Sequence, residues 1–199
     1  MVKSISIKKE TKNTMSVLLV IAESVEELEA VSIADVVARA GIAVTIATIG
    51  EKKETKCSRG VTLVADCLLK ECQNKKYDVI CLPGGLPGAN YLAKDTLLIS
   101  MLKQQLIENR YIAAICASPA LVFEANGILE GRRATCYPSF QPKLHNQSAV
   151  SQRVVVDNHV ITSQAPGSAI EFALAIVKEL KGEQKMKETE APLVLNFTY

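Results

Sequence analysis

Four short runs rich in Val, Ile and Leu recur along this chain: SVLLVIA (16–22), AVTIAT (43–48), DVICL (78–82) and YIAAI (111–115). Longer helical patterns lie between several of them. Near-continuous apolar runs of this length suit strands buried within a sheet. Strand, helix and strand in alternation imply right-handed crossovers and a largely parallel sheet. The expected class is therefore α/β: a three-layer sandwich with a mostly parallel sheet in a single domain.

The segments between the strands support this. EELEAVSIADVVARAG (26–41) gathers Ser32, Asp35 and Arg39 on one face, surrounds them with Ala, Val and Ile, and ends at Gly41. It reads as a helix buried on most sides. A second helix is expected from about Asp95 to Asn109, and a third from near Pro119 to just before Gly127. RVVVDNHVIT reads as a hairpin turning at Asp157 and Asn158, a local antiparallel addition. In GSAIEFALAIVKELKG, Ser168 and Glu171 form a capping box and Gly182 closes the helix. The tail is charged from Glu183 until APLVL (191–195), which must pack on the body.

A chain of 199 residues at 48% hydrophobic can bury one substantial core. Its 23 basic and 21 acidic residues leave a net charge of +2, with aromatics at 5%, so no nucleic-acid partner is indicated. No apolar run approaches the ~18 residues of a membrane span, and a cytoplasmic protein is expected. Residues 1–14, MVKSISIKKETKNT, carry four lysines and read as a basic, disordered extension. The domain occupies 15–199, with Met15 as an alternative start. A secretory signal is disfavoured because the apolar run stops at Glu23. Six cysteines beside a core of this size favour reduced thiols. With no C-x-x-C and no histidine pair at ligand spacing, no metal is expected.

Three segments converge on chemistry. In YIAAICASPA, Cys116 follows a strand and precedes Pro119, so it falls at the carboxyl edge of the sheet where sites form. The helix beginning near Pro119 and unpaired turn N–H groups would favour its thiolate. LPGGLPGA follows another strand, and Gly84 and Gly85 could turn N–H groups towards an oxyanion formed at Cys116. AESVEELEAV offers Glu26, Glu27 and Glu29, which helical phase does not rank. A carboxyl held in an apolar pocket would keep its proton and donate it to a neighbouring sulfur or oxygen.

AESVEELEAV, LPGG and AAICASPA, in this order and at these separations, closely resemble the ThiJ/PfpI superfamily and specifically its DJ-one subfamily. CSRGV (57–61), TSQAPGSAIEFALAIV (162–177) and APLVL match as well, so the resemblance covers about Met15 to Leu195. It implies a flavodoxin-like sandwich that forms a homodimer and needs no cofactor. It implies that Cys116 is the reactive cysteine and Glu29 the protonated glutamate beside it, with Gly84, Gly85 and Ala117 around an anion pocket. Arg59 matches a residue that approaches the partner subunit's site, and Cys57 a position near the interface. Apart from the resemblance, one of Cys57, Cys67, Cys72 and Cys136 could serve as a secondary redox site, with Cys57 the first candidate, while Cys81 in DVICL is expected in the core. Ala117 stands where protease-like members place a histidine, which disfavours a Cys-His protease, and Tyr137 stands where several relatives carry a nearby histidine. Of the two histidines, His159 is expected at the surface beside the hairpin turn, and His145 lies in a loop of unassigned position.

The resemblance implies a glyoxalase acting on a small dicarbonyl such as methylglyoxal, with a related protein deglycase activity on early glycation adducts. The alternative is a redox-sensing chaperone whose Cys116 becomes a sulfinate. An inert structural domain ranks last, because a strand-end cysteine, a glycine loop and a glutamate converge on one edge.

Overall fold

The computed structural model describes residues 15–195. The basic extension expected over 1–14 lies outside them. The elements run β1 (Ser16–Ile21), α1 (Glu27–Arg39), β2 (Ala43–Thr48), β3 (Glu54–Lys56), β4 (Thr62–Val64), β5 (Cys67–Leu68), β6 (Val79–Leu82), α2 (Gly88–Lys94), α3 (Thr96–Ile107), β7 (Tyr111–Ile115), β8 (Val154–Asp157), β9 (Val160–Ser163) and α4 (Ala169–Glu190).

Seven strands form one sheet in the order β5-β2-β1-β6-β7-β9-β8, while β3 and β4 make a separate antiparallel hairpin. All pairings in the main sheet are parallel except β8 with β9. The chain moves from β1 outwards to β2, then returns to the other side of β1 through β6 and on to β7. Right-handed crossovers in opposite directions put α1 and α3 on opposite faces of the sheet, and α4 packs against α1. The result is the expected flavodoxin-like three-layer sandwich. Val17 to Ile21 and Val79 to Leu82 are buried, as central strands of a doubly covered sheet must be.

Four local expectations change. The segment after Cys116 is a π-helical turn, Pro119–Phe123, followed by a 3-10 turn, Glu124–Asn126, instead of a regular helix. Pro119, Ala120, Val122 and Phe123 are all buried, so packing sets its winding. Ser168 does not cap α4: its hydroxyl donates to the Ala165 carbonyl at 2.9 Å and lies 2.7 Å from the Ser163 hydroxyl. Glu171, free of a capping box, pairs with Arg153. Gly182 does break the helix, with φ 83° and ψ 168°, but helix resumes beyond it to Glu190. Glu183–Lys187 and Lys185–Glu188 pairs support that charged stretch. Finally, α1 is not buried on most sides, because Leu28 and Val31 are half exposed.

Candidate active site

Cys116 directly follows β7 with φ +64°, a left-handed backbone that few non-glycine residues adopt. Neighbouring backbone holds it there: the Cys116 N–H donates to the Ser163 carbonyl at 3.0 Å, and the Tyr137 N–H donates to the Cys116 carbonyl at 2.7 Å. Strain of this kind costs about 1–3 kcal/mol and persists only where surroundings enforce it. The Ser118 hydroxyl adds a further tie, donating to the Pro83 carbonyl at 2.6 Å and joining the cysteine turn to the glycine loop.

That glycine loop follows β6, between the other two site segments. A Cβ on Gly84 would lie 2.6 Å from Cys116 Cβ, and one on Gly85 would lie 2.5 Å from the Glu26 nitrogen. Only glycine permits this approach, and Gly85 also needs its φ of +89°. The two glycines divide their work in a way the sequence does not indicate. Gly84 donates its N–H to Glu29 Oε2 at 2.7 Å, so that N–H is not free for an oxyanion at Cys116. The Gly85 and Ala117 N–H groups instead face the Cys116 sulfur and favour its anion.

The three glutamates after β1 also separate. Glu26 caps α1, its carboxylate accepting the Glu29 N–H at 2.8 Å. Glu27 holds the β3–β4 hairpin, accepting from the Arg59 N–H at 2.9 Å, the Val61 N–H at 3.3 Å and the Ser58 hydroxyl at 3.1 Å. Burial alone would raise the Glu27 carboxyl, but these donors bring it below its ordinary value. Glu29 is fully buried, and its Oε1 has no conventional hydrogen-bond partner. Burial pushes this carboxyl up to about 7 against the pull of the Gly84 N–H, and its neighbour across the gap is the Cys116 thiol.

The sulfur does not ionise easily beside a charged Glu29. Burial first, then the Glu29 carboxylate, push Cys116 up to about 12 against the pull of the Gly85 and Ala117 N–H groups. Two adjacent buried negative charges repel, so near neutral pH the pair retains at least one proton.

A pocket of about 500 Å³ opens over this pair, lined by Glu26, Arg59, Gly85, Cys116, Ala117 and Tyr137 among others. Cys116 is only 8% exposed, so a reactant reaches it through this opening. Arg59 faces the pocket of its own chain. Cys57 lies outside the lining, buried, its thiol pushed up to about 11 by burial and by Glu27. His145 is also outside the pocket, paired with Glu124 at 2.5 Å and largely exposed. His159 is half-buried, its ring tilted 57° to that of Tyr111 with centroids 5.0 Å apart. Among the described residues, no three His, Cys, Asp or Glu side chains gather as a metal site would require, and no helix is long and apolar enough to cross a membrane.

Sequence reasoning missed Glu27 and Ser118 as organisers. Their partners, at positions 58–61 and 83, are remote in sequence, so no local pattern announces them.

Residues 15–179 match the DJ-1/PfpI family. Protein DJ-1 homolog B of Arabidopsis thaliana is 47% identical over 184 residues, 92% of this chain and 42% of that protein, so the chain spans under half the length of this relative. The Glutathione-independent glyoxalase DJR-1.2 of Caenorhabditis elegans is 37% identical, with 90% of this chain and 96% of that protein covered. The solved structure of oxidized Toxoplasma gondii DJ-1 superposes with a TM-score of 0.90 at 39% identity, covering 92% of this chain and all of that one.

Proposed function

This chain belongs to the DJ-1/PfpI family, and from that premise we propose that it is a cofactor-independent, cysteine-dependent glyoxalase acting on small dicarbonyls such as methylglyoxal, with protein deglycase activity on early glycation adducts. The name of the Caenorhabditis elegans relative supports the reaction class. The observation that carries it is the pairing, beneath one pocket, of Cys116 with the buried, proton-holding Glu29.

The donor arrangement favours negative charge on sulfur. Two N–H groups, from Gly85 and Ala117, face the sulfur, whereas one, from Gly84, reaches the carboxyl. Sulfur is also the larger and less strongly hydrated ion, so burial penalises it less than a carboxylate. These effects oppose the carboxyl's lower ordinary value. A proton on Glu29 Oε1 then finds its acceptor in the sulfur.

In the reaction, the Cys116 sulfur adds to the aldehyde carbon and the carbonyl oxygen takes up a proton, forming a hemithioacetal. Glu29 then relays the aldehyde-derived C–H proton to the neighbouring carbon as the ketone becomes a hydroxyl. This isomerisation yields a lactoyl thioester. Water cleaves that ester, releasing lactate and restoring the thiol. Arg59 at the pocket rim would attract the developing anion. On an early glycation adduct the same addition would precede release of the amine.

Lactate formation from methylglyoxal by the wild-type chain and by Cys116→Ala tests the proposal. Turnover must vanish in the variant, and an unaffected variant removes the mechanism.

A second reading is redox sensing, with hydroperoxide converting Cys116 to a sulfinate. The unpartnered Glu29 Oε1 favours it, since a protonated carboxyl could donate to a sulfinate oxygen. A homodimer is part of the same reading. Leu28 and Val31 on α1 and Val61 and Val64 on the hairpin are 50–65% exposed, and Glu27 ties these two elements together. A second copy of this face would cover them.

A further inference from the structure

The Cys67 and Cys72 sulfurs lie 3.3 Å apart, and we propose that they form a reversible intramolecular disulfide, a redox site separate from Cys116, with a hydroperoxide as oxidant. Cys67 sits on β5, the two-residue edge strand of the sheet, paired with Ala47. The chain then turns through a 3-10 segment, Leu69–Glu71, which returns Cys72 beneath the strand. Two contacts set this turn: the Cys72 N–H donates to the Leu69 carbonyl at 2.9 Å, and the Leu68 N–H to Glu71 Oε2 at 2.7 Å. Leu69 is buried and anchors it.

The convergence has consequences for bond formation. The sulfurs need to close only from 3.3 Å to the ~2.05 Å of a covalent bond. Cys67 is partly exposed while Cys72 is buried, so an oxidant meets Cys67 first. Tyr77, also buried, lies against Cys72. Cys116 cannot substitute for either partner, since four strand spacings from β5 to β7 amount to about 19 Å.

The Cys67 sulfur attacks the hydroperoxide: an S–O bond forms, the O–O bond breaks, and the thiol proton leaves with the displaced oxygen as water or an alcohol. The Cys72 sulfur then attacks the Cys67 sulfur. The S–S bond forms, the S–O bond breaks, and the hydroxyl departs as water with the Cys72 proton. Two thiols lose two electrons and the peroxide gains them. Burial, followed by the neighbouring thiol, pushes Cys67 up to about 11, so the first step is slow at neutral pH and responds to sustained exposure.

Lys70 lies between the two cysteines, which makes the bond directly visible. The folded full chain is exposed to hydrogen peroxide, its remaining thiols are blocked with iodoacetamide during unfolding, and it is digested with trypsin. The expected product is peptide 60–70 joined to peptide 71–75, lost on treatment with dithiothreitol and also formed by Cys116→Ala. Cys72→Ser must abolish it. The two peptides recovered separately from wild-type protein, with Cys67 and Cys72 alkylated or Cys67 carried to a sulfinate, would overturn the proposal. A bond from either cysteine to a different one would overturn it too.

Discussion

Glu29 accepts the Gly84 N–H at 2.7 Å through Oε2, while its Oε1, equally buried, has no conventional partner. A carboxyl so placed holds its proton to higher pH than it would in the unfolded chain. With a folded value near 7 against an ordinary 4.5, it contributes nothing differential below 4.5. Between 4.5 and 7 the unfolded chain releases a proton that the folded pair keeps, so folding is increasingly opposed as pH rises. This sign depends on proton count and not on which atom of the Glu29–Cys116 pair ionises first. Chemical denaturation of Glu29→Gln and wild type across that window is expected to show the variant gaining about 3 kcal/mol in relative stability. Parallel curves would contradict the buried carboxyl.

Glu27 works in the opposite direction. Its carboxylate gathers N–H groups from Arg59 and Val61 and the Ser58 hydroxyl, and it lies below its ordinary value. The stability it confers is present above 4.5 and is lost as pH falls through its folded value. Glu27→Ala should cost on the order of 2 kcal/mol at neutral pH. Amide exchange should rise first at Arg59 and Val61, and unchanged protection there would argue against the anchor.

Gly85 meets backbone on its open side, with the Glu26 nitrogen 2.5 Å and the Val25 carbonyl carbon 2.8 Å from where a Cβ would sit. Neither atom can swing away as a side chain could. Gly85→Ala should lose about 3 kcal/mol, read as a drop of roughly 10 °C in Tm. Gly167, with nothing within 4 Å and no positive φ, supplies the control, and Gly167→Ala should melt close to wild type.

The half-exposed apolar face of α1 and the hairpin makes a prediction about assembly. Wild-type protein should sediment at twice the mass of one chain, and Val31→Asp should shift it towards monomer. A wild-type monomer at micromolar concentration would remove the dimer from the account.

Much of this molecule is legible before any coordinates. The apolar runs at 43–48 and 111–115 coincide with β2 and β7, and Asp95 caps α3 where the helix was expected to begin. The edge position of Cys116 follows from strand order and the proline after it. What periodicity cannot supply is which atom faces which. Glu26, Glu27 and Glu29 look alike on a helical wheel, and the resemblance to relatives was needed to single out Glu29. Their three duties depend on partners at positions 29, 58–61 and 84, brought near by the fold. Likewise the Gly84 N–H turns to a carboxyl and not to an oxyanion, and Cys67 meets Cys72 only because a 3-10 turn reverses the chain. Gly182 illustrates the complementary limit: a helix breaker marks an interruption without saying whether helix resumes.

The central claim is that Cys116 acts as a nucleophile while Glu29 holds the proton. Its most direct test is the rate of Cys116 alkylation by iodoacetamide as a function of pH, followed by mass spectrometry of that cysteine. The account predicts a midpoint near neutral pH, well below the ordinary thiol value of 9.0. Reactivity that climbs only towards pH 12, as for a buried thiol facing an ionised Glu29, would contradict it.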